Sequence, residues 1–215
     1  MKINLFSKKD GGMGKSQERG FTLIELIITI SILAVLVTIL VVAINPAEQL
    51  ARSRDSKRTA DLAGLQSAMN LYLATATSTI DLDGSADSNA KCTDGATPTA
   101  WFNTTGSVST STVTSTIFTA KSVSSTQTIG SAGWLPARMD QTPGGAPLSV
   151  LPLDPSGQGA NTTYYYMYAC KNTNKQYELG AILESTYFLT DLDMDGKDGG
   201  SSSTMYEAGT NLNLL

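Results

Sequence analysis

The chain has 215 residues and a formal charge of −4, and it contains no histidine. The lack of histidine removes the commonest general base and the commonest metal ligand, and the sequence shows no nucleophile elbow and no P-loop, so we predict that the protein is not an enzyme. The charge is unevenly divided, because residues 1–20 carry a net charge of +3 and the remainder carries −7. Nucleic-acid binding needs clustered Lys and Arg on the folded part of a protein, so we expect no nucleic-acid partner.

Residues 21–44 predict a helix that spans a membrane. The segment would be about 36 Å long as a helix, which is enough to cross a hydrocarbon core of about 30 Å. It is apolar on all sides, unlike a core helix with a polar stripe, and it is longer than the apolar part of a secretory signal peptide. Basic residues before the segment place the N-terminus on the cytoplasmic side and the body outside.

Residues 46–76 predict a second helical stretch. Pro46 either starts a new helix or kinks one long helix. Residues 52–61 are nearly all charged or polar, so we expect them to lie in water or against a neighbouring chain. From there on, apolar residues recur at spacings of three and four, which indicates an amphipathic helix packed on a domain; they are Leu62, Leu65, Met69, Tyr72 and Leu73.

The start of the apolar segment carries a recognisable motif. A short basic leader is followed by Gly20 and then by Phe-Thr-Leu-Ile-Glu at 21–25, and between Phe21 and Arg52 the only charged residues are Glu25 and Glu48. This arrangement resembles the prepilin signature of type IV pilins and type II secretion pseudopilins. In that family a membrane aspartyl peptidase, the prepilin peptidase, cuts after the glycine and methylates the new terminal phenylalanine. The resemblance implies cleavage after Gly20 and methylation of Phe21.

The same resemblance implies a role as a structural subunit of a pilus-like or pseudopilus filament. A carboxylate in a membrane helix is costly, and in the family Glu25 would meet the terminal amine of a neighbouring subunit during assembly. The implied partners are copies of the chain, the prepilin peptidase, an inner-membrane assembly platform and, before assembly, membrane lipid. The chain would be a single-pass inner-membrane protein first and part of a periplasmic or extracellular filament afterwards. The alternative is an adhesive or DNA-capturing minor pilin displayed on such a filament.

The resemblance also implies an α+β fold. A long N-terminal helix, membrane-spanning in its lower half and amphipathic in its upper half, would pack on a small antiparallel sheet. The predicted divisions are a leader at 1–20, a polymerisation helix at 21–45, an amphipathic helix at 46–76 and a globular head at 77–215.

Within the head, the later part is the clearer. Residues 163–170 are rich in aromatic side chains and predict a strand, and residues 176–185 predict the next, so a hairpin should pack on the amphipathic helix. Residues 104–131 are rich in Ser and Thr, and we expect exposed loops with one or two short strands. Trp101 and Trp134 are expected to be packing residues.

Two cysteines, Cys92 and Cys170, lie in the part predicted to be outside the cytoplasm. There they would either oxidise to a disulfide or remain as two buried thiols. A bond between them would connect the loop after the helix to the end of the aromatic strand.

An acidic stretch at 191–200 matches the first half of a calcium loop, D-x-D-x-D-G. The candidate ligands for a structural Ca²⁺ are Asp191, Asp193, Asp195 and Asp198, with Glu207 or backbone carbonyls completing the shell. The twelfth position is Ser202 rather than the usual glutamate. Major pseudopilins carry a calcium site after their last strands, which favours calcium here, and the alternative is a surface turn that binds nothing.

Overall fold

The computed structural model describes residues 20–76, 79–85, 90–105, 118–157 and 163–215. The chain divides into two compact units, and the boundary falls between Asn45 and Pro46. The first unit contains helix α1 (Leu23–Ile44), and the second contains helix α2 (Pro46–Thr75) and the sheet.

The two helices are separated by a single residue. Asn45 adopts a left-handed conformation with φ of 46° and ends α1, as asparagine does at helix C-termini. Pro46 is the first residue of α2, a position where its missing N–H costs nothing and its fixed φ is favourable. Pro46 therefore starts a new helix, which was one of the two predicted outcomes.

Within the described residues, five strands form one mixed sheet in the order β2-β1-β3-β4-β5. The strands are β1 (Thr99–Phe102), β2 (Ala120–Val123), β3 (Tyr166–Lys171), β4 (Gln176–Ala181) and β5 (Tyr206–Gly209). The α+β fold is confirmed, and three of the four pairings are antiparallel. The edge pair β1–β2 is parallel, which the sequence did not predict.

The predicted hairpin is β3–β4, and it packs on α2. Alternate side chains of β3, Tyr166 and Tyr168, share a buried cluster with Leu179 of β4 and with the apolar residues of α2. The intervening side chain Met167 lies in a second cluster with Phe102 on the other face of the sheet. Both faces of β3 are therefore buried, which explains why its first five residues are apolar rather than alternating with polar ones.

The Ser/Thr-rich region is described only in part, because residues 106–117 of the predicted 104–131 segment lie outside the described residues. Strand β2 belongs to this region and is mostly exposed, in agreement with a short strand among loops. Trp101 and Trp134 are buried, and the Trp134 indole N–H donates to the Pro152 carbonyl at 2.9 Å. Both tryptophans are packing residues, as predicted.

Four short helical segments complete the described chain. They are the 3-10 turns Met139–Gln141 and Thr173–Lys175, a π-helical turn at Tyr187–Asp191, and the one-turn helix α3 at Met194–Lys197. The last two lie between β4 and β5, in the acidic part of the sequence.

Candidate processing and assembly site

The candidate processing site lies at the very start of the described chain. Gly20 is exposed, and a Cβ atom built on it meets no atom within 4 Å in the part of the chain that the structure describes. Phe21 is 80% exposed. Thr22 has extended backbone angles and caps α1, since its Oγ1 accepts a hydrogen bond from the Glu25 N–H at 3.3 Å. The bond before Phe21 therefore lies in non-helical backbone, one residue before the cap, and both residues that it joins are exposed.

Helix α1 exposes its whole apolar surface, and none of its residues is buried. Its length and composition are sufficient for it to cross a membrane. Three hydroxyl side chains interrupt the apolar sequence, and each donates to a carbonyl of its own helix: Thr29 to Leu26 at 2.8 Å, Ser31 to Ile27 at 2.7 Å, and Thr38 to Val35 at 2.7 Å. Local bonds of this kind satisfy polar groups that lipid cannot.

Glu25 is different from these hydroxyl residues. It lies in the first turn of α1 and is exposed, and within the described chain no residue pairs with its carboxylate. An acidic group in the first turn interacts favourably with the helix dipole, but a buried carboxylate still needs a cation or donors. In an apolar surrounding, Glu25 therefore requires a partner from outside α1.

The disulfide between Cys92 and Cys170 is present, with a Cα–Cα distance of 4.8 Å and a sequence separation of 78 residues. Both cysteines are fully buried. The neighbouring Asp94 carboxylate accepts hydrogen bonds from the Asn172 and Thr173 N–H groups at 2.7 Å. These bonds lower the pKa of Asp94 against the opposing effect of burial, and they hold the 92–94 segment to the β3–β4 turn together with the disulfide.

The acidic loop does not form a ligand group in the described structure. Asp193 forms an ion pair with Lys197 at 3.3 Å. Asp198 accepts hydrogen bonds from the Gly200 and Glu207 N–H groups at 2.9 and 2.6 Å. In the part of the chain that the structure describes, no three acidic, Cys or His side chains are arranged to hold a metal ion. Calcium binding by Asp191, Asp193, Asp195 and Asp198 stays a prediction, and it requires these contacts to rearrange.

The expectation for residues 52–61 is confirmed for exposed residues such as Lys57 but wrong for Asp55 and Arg58, whose charges are paired inside the second unit. The side chains of Arg58 and Asp55 are completely buried, and the Arg58 Nη1 and Asp55 Oδ1 atoms lie 2.6 Å apart. The Arg58 guanidinium also contacts Asp154 at 2.6 Å and Glu184 at 2.8 Å. Burial alone would lower the pKa of Arg58, but the three carboxylates raise it above its ordinary value. The guanidinium therefore remains charged and connects α2 to two loops of the head.

Sequence reasoning missed this ion cluster although a signal was present. The buried stripe of α2 is regular from Ala51 to Tyr72, and two of its positions are occupied by Asp55 and Arg58. These two residues are spaced i and i+3, so they face the same side of the helix. Charged residues that lie on the same helix face as the apolar residues indicate that the charges are buried and paired with other charges. Charged residues on a solvated face would instead lie on the opposite side of the helix.

A second buried acidic pair was also missed. Glu178 on β4 and Glu207 on β5 are both at most 2% exposed. The Glu178 Oε2 atom accepts hydrogen bonds from the Leu214 and Leu215 N–H groups at 2.5 and 3.0 Å. Within the described chain, the Oε1 atoms of both glutamates lack an N–H or hydroxyl donor. Burial and, next, the neighbouring Glu207 carboxyl group raise the pKa of Glu178, which favours a protonated Glu178 that can donate to Glu207.

Comparison with known proteins identifies the N-terminal part of the chain. Residues 15–41 match the family model described as the prokaryotic N-terminal methylation motif. The match includes Gly20, Phe21 and Glu25 and most of α1. No curated protein and no solved structure matches the chain.

Proposed function

We propose that this chain, which carries at residues 15–41 the prepilin signature of type IV pilins and pseudopilins, is a structural filament subunit that is cut after Gly20 and assembles through α1. The motif supports a pilin-like or pseudopilin subunit that is processed by a peptidase and anchored in a membrane.

The observation that carries the proposal is the contrast between Glu25 and the rest of α1. Every other polar side chain between Leu23 and Ile44 bonds to its own helix, so it requires nothing from a partner. Glu25 alone is charged, and α1 offers it no cation. Cleavage after Gly20 would create an amine at Phe21. A neighbouring copy would bring that amine to Glu25 when apolar helices pack against each other, and the pair would fix their register.

The first experiment tests processing. We expect Gly20→Val to remain uncut when the chain is produced together with a prepilin peptidase, because the branched side chain would occupy the position that the peptidase recognises. Since a Cβ at Gly20 meets no atom of the described residues within 4 Å, a failure of cleavage would reflect recognition rather than misfolding. Mass spectrometry of the N-terminus distinguishes the cut, methylated form from the uncut one. Efficient cleavage of the Gly20→Val chain would contradict the proposed site.

The second experiment tests assembly. We expect Glu25→Val to be cut and methylated normally but to yield few filaments, because the cut is made before residue 21 and the carboxylate acts only between subunits. Thr38→Val is the matched control, since it also removes a polar side chain of α1, and its hydroxyl bonds within the helix. Filament yield is measured by electron microscopy and by quantifying sheared material. Yields that are equal for Glu25→Val and the control would defeat the proposed role of Glu25.

A further inference from the structure

A small apolar surface lies between β4 and β5, and we call it the 187–192 patch. It consists of Tyr187, Phe188, Leu189 and Leu192, on and directly after the π-helical turn. The Tyr187 and Phe188 rings meet edge to face with centroids 5.4 Å apart. Leu192 is 40% exposed, and the other three side chains are half-buried. The patch therefore presents an aromatic and aliphatic surface to the outside of the second unit.

The patch is held to the first turns of α2. The Glu48 carboxylate accepts hydrogen bonds from the Thr186 and Tyr187 N–H groups at 3.2 and 3.1 Å. The Tyr187 N–H is the main reason that the pKa of Glu48 is lowered. Arg52 forms an ion pair with Glu48 at 3.2 Å, and its guanidinium lies 4.5 Å from the centre of the Tyr187 ring. The location of the patch is thus fixed relative to Glu48.

Glu48 is only four residues beyond the end of the apolar helix. Helix α1 has 22 residues and ends at Ile44, so it is about 33 Å long, which matches a hydrocarbon core of about 30 Å. When α1 spans a bilayer, covalent connection keeps Glu48 close to the surface at which α1 leaves the hydrocarbon. Tyrosine is enriched at this level of membranes because its ring is apolar and its hydroxyl is polar.

We propose that the 187–192 patch inserts into the interfacial layer of the membrane before assembly, with phospholipid as its ligand. This inference rests on the proposed function, in which α1 is a membrane span at that stage. Two acidic residues, Asp191 and Asp193, adjoin the patch, so attraction to anionic lipid does not explain the contact. Insertion of apolar side chains does explain the contact. The contact should therefore form with zwitterionic phosphatidylcholine and persist in high salt.

The experiment places a fluorescent reporter in the patch of the full chain. Leu192→Trp is reconstituted in phosphatidylcholine vesicles with or without bromine on the acyl chains, and bromine quenches tryptophans in contact with lipid. The signal of the buried Trp101 and Trp134 is subtracted with the unsubstituted chain. Val150→Trp is the matched control, because Val150 is 55% exposed and lines the same groove as Ala60 of α2. Ala60 lies about 18 Å further along that helix than Glu48.

We expect bromine to quench the Leu192→Trp reporter at least twofold more than the Val150→Trp control, at low salt and at high salt alike. Phe188→Trp is a second reporter in the same patch and should give the same result. Equal quenching of patch and control reporters would overturn the proposal. A blue-shifted Leu192→Trp emission without bromine quenching would overturn it as well, because a second copy of the chain would then cover the patch.

A third reporter separates this proposal from the one on which it rests. Leu36→Trp lies in the middle of α1, and bromine should quench it if α1 spans the bilayer. Quenching of Leu36→Trp without quenching of Leu192→Trp would leave the membrane anchor intact and remove only the lipid contact of the patch. Absence of quenching at Leu36→Trp would overturn the anchor and the patch proposal together.

Discussion

The Arg58 guanidinium lies 2.6 Å from the Asp154 carboxylate, 96 residues away in the sequence, and both side chains are removed from solvent. A second hydrogen bond of 3.0 Å makes the contact bidentate, the strong geometry for this pair. Because α2 supplies the arginine and a loop of the head supplies the aspartate, the contact joins the helix to the head by charge as well as by apolar packing.

We predict that Arg58→Met lowers the free energy of unfolding by about 3–5 kcal/mol, since the substitution leaves buried carboxylates without their cation. The matched control is Lys57→Met, because Lys57 is 55% exposed and forms an i,i+4 ion pair with Asp61. Such surface pairs contribute about 0.5 kcal/mol or less. Urea unfolding of the detergent-solubilised chain, followed by tryptophan fluorescence, measures both. A loss for Arg58→Met no larger than that for the control would show that the cluster is not stabilising.

The pair Glu178–Glu207 predicts a pH dependence. The folded-state pKa of Glu178 lies above its ordinary value of 4.5, so above about pH 4.5 the folded chain keeps a proton that the unfolded chain has lost. The contribution of this group to stability is therefore complete below that pH and declines as pH rises towards the folded-state pKa, by at most about 1.4 kcal/mol per pH unit.

Glu178→Gln should remove this dependence, because the amide carries no titrating proton and can donate permanently to Glu207. We expect the variant to be more stable than the unsubstituted chain at pH 8 and similar to it near pH 4.5. The control is Asp140→Asn, which changes a carboxylate paired with Arg138 at the surface. The test is the unfolding free energy of each chain measured from pH 5 to 8. If its slope against pH were the same in Glu178→Gln as in the unsubstituted chain, the shared proton would be contradicted.

The disulfide should be a large contributor to the stability of the head. For a closed loop of 78 residues, the chain-entropy model gives about 4–5 kcal/mol. We expect the double variant Cys92→Ser and Cys170→Ser to lose stability of this order, and a reductant to destabilise only the unsubstituted chain. A free-thiol assay without reductant provides the check on the bond itself, since two titratable thiols would exclude it.

The calcium prediction can be tested by removing Lys197, a cation of the chain that would compete with Ca²⁺ for the loop. The Lys197 ammonium group forms an ion pair with the Asp193 carboxylate, so Lys197→Ala removes a cation that Ca²⁺ would have to displace. If the loop binds calcium, millimolar Ca²⁺ should raise the Tm relative to a chelator, and the rise should be larger in Lys197→Ala. Asp195→Asn should make the rise in Tm on adding Ca²⁺ smaller. Identical melting with Ca²⁺ and with chelator in both chains would rule out the site.

The elements that were predictable are those with a local periodic signal. Helix α1 follows from an unbroken apolar segment, and the packing of Leu62 and Met69 follows from their helical spacing. The β3–β4 hairpin follows from two strands on either side of a polar turn. In each case the residues that determine the structure are neighbours in the sequence, so the pattern can be seen without knowing the rest of the fold.

The features that escaped prediction depend on residues far apart. Arg58 looks like a solvent-facing charge until Asp154 and Glu184 are placed beside it by the fold of the head. Likewise, Glu178 looks like an exposed position of a strand, but both faces of the sheet are covered. The parallel pairing of β1 with β2 has no local signal, because each strand has only four residues and parallel neighbours are not joined by a tight turn.

The Cys92–Cys170 bond also limits how far the chain can lengthen under load. If the two ends of the chain were pulled apart, a head that lost its packing would extend by about 3.4 Å per released residue. The 78-residue interval closed by the bond is bypassed by the covalent link, which withholds about 260 Å of extension. Under such a pull, the part of the head between Cys92 and Cys170 would stay closed, and only the chain outside that interval would extend.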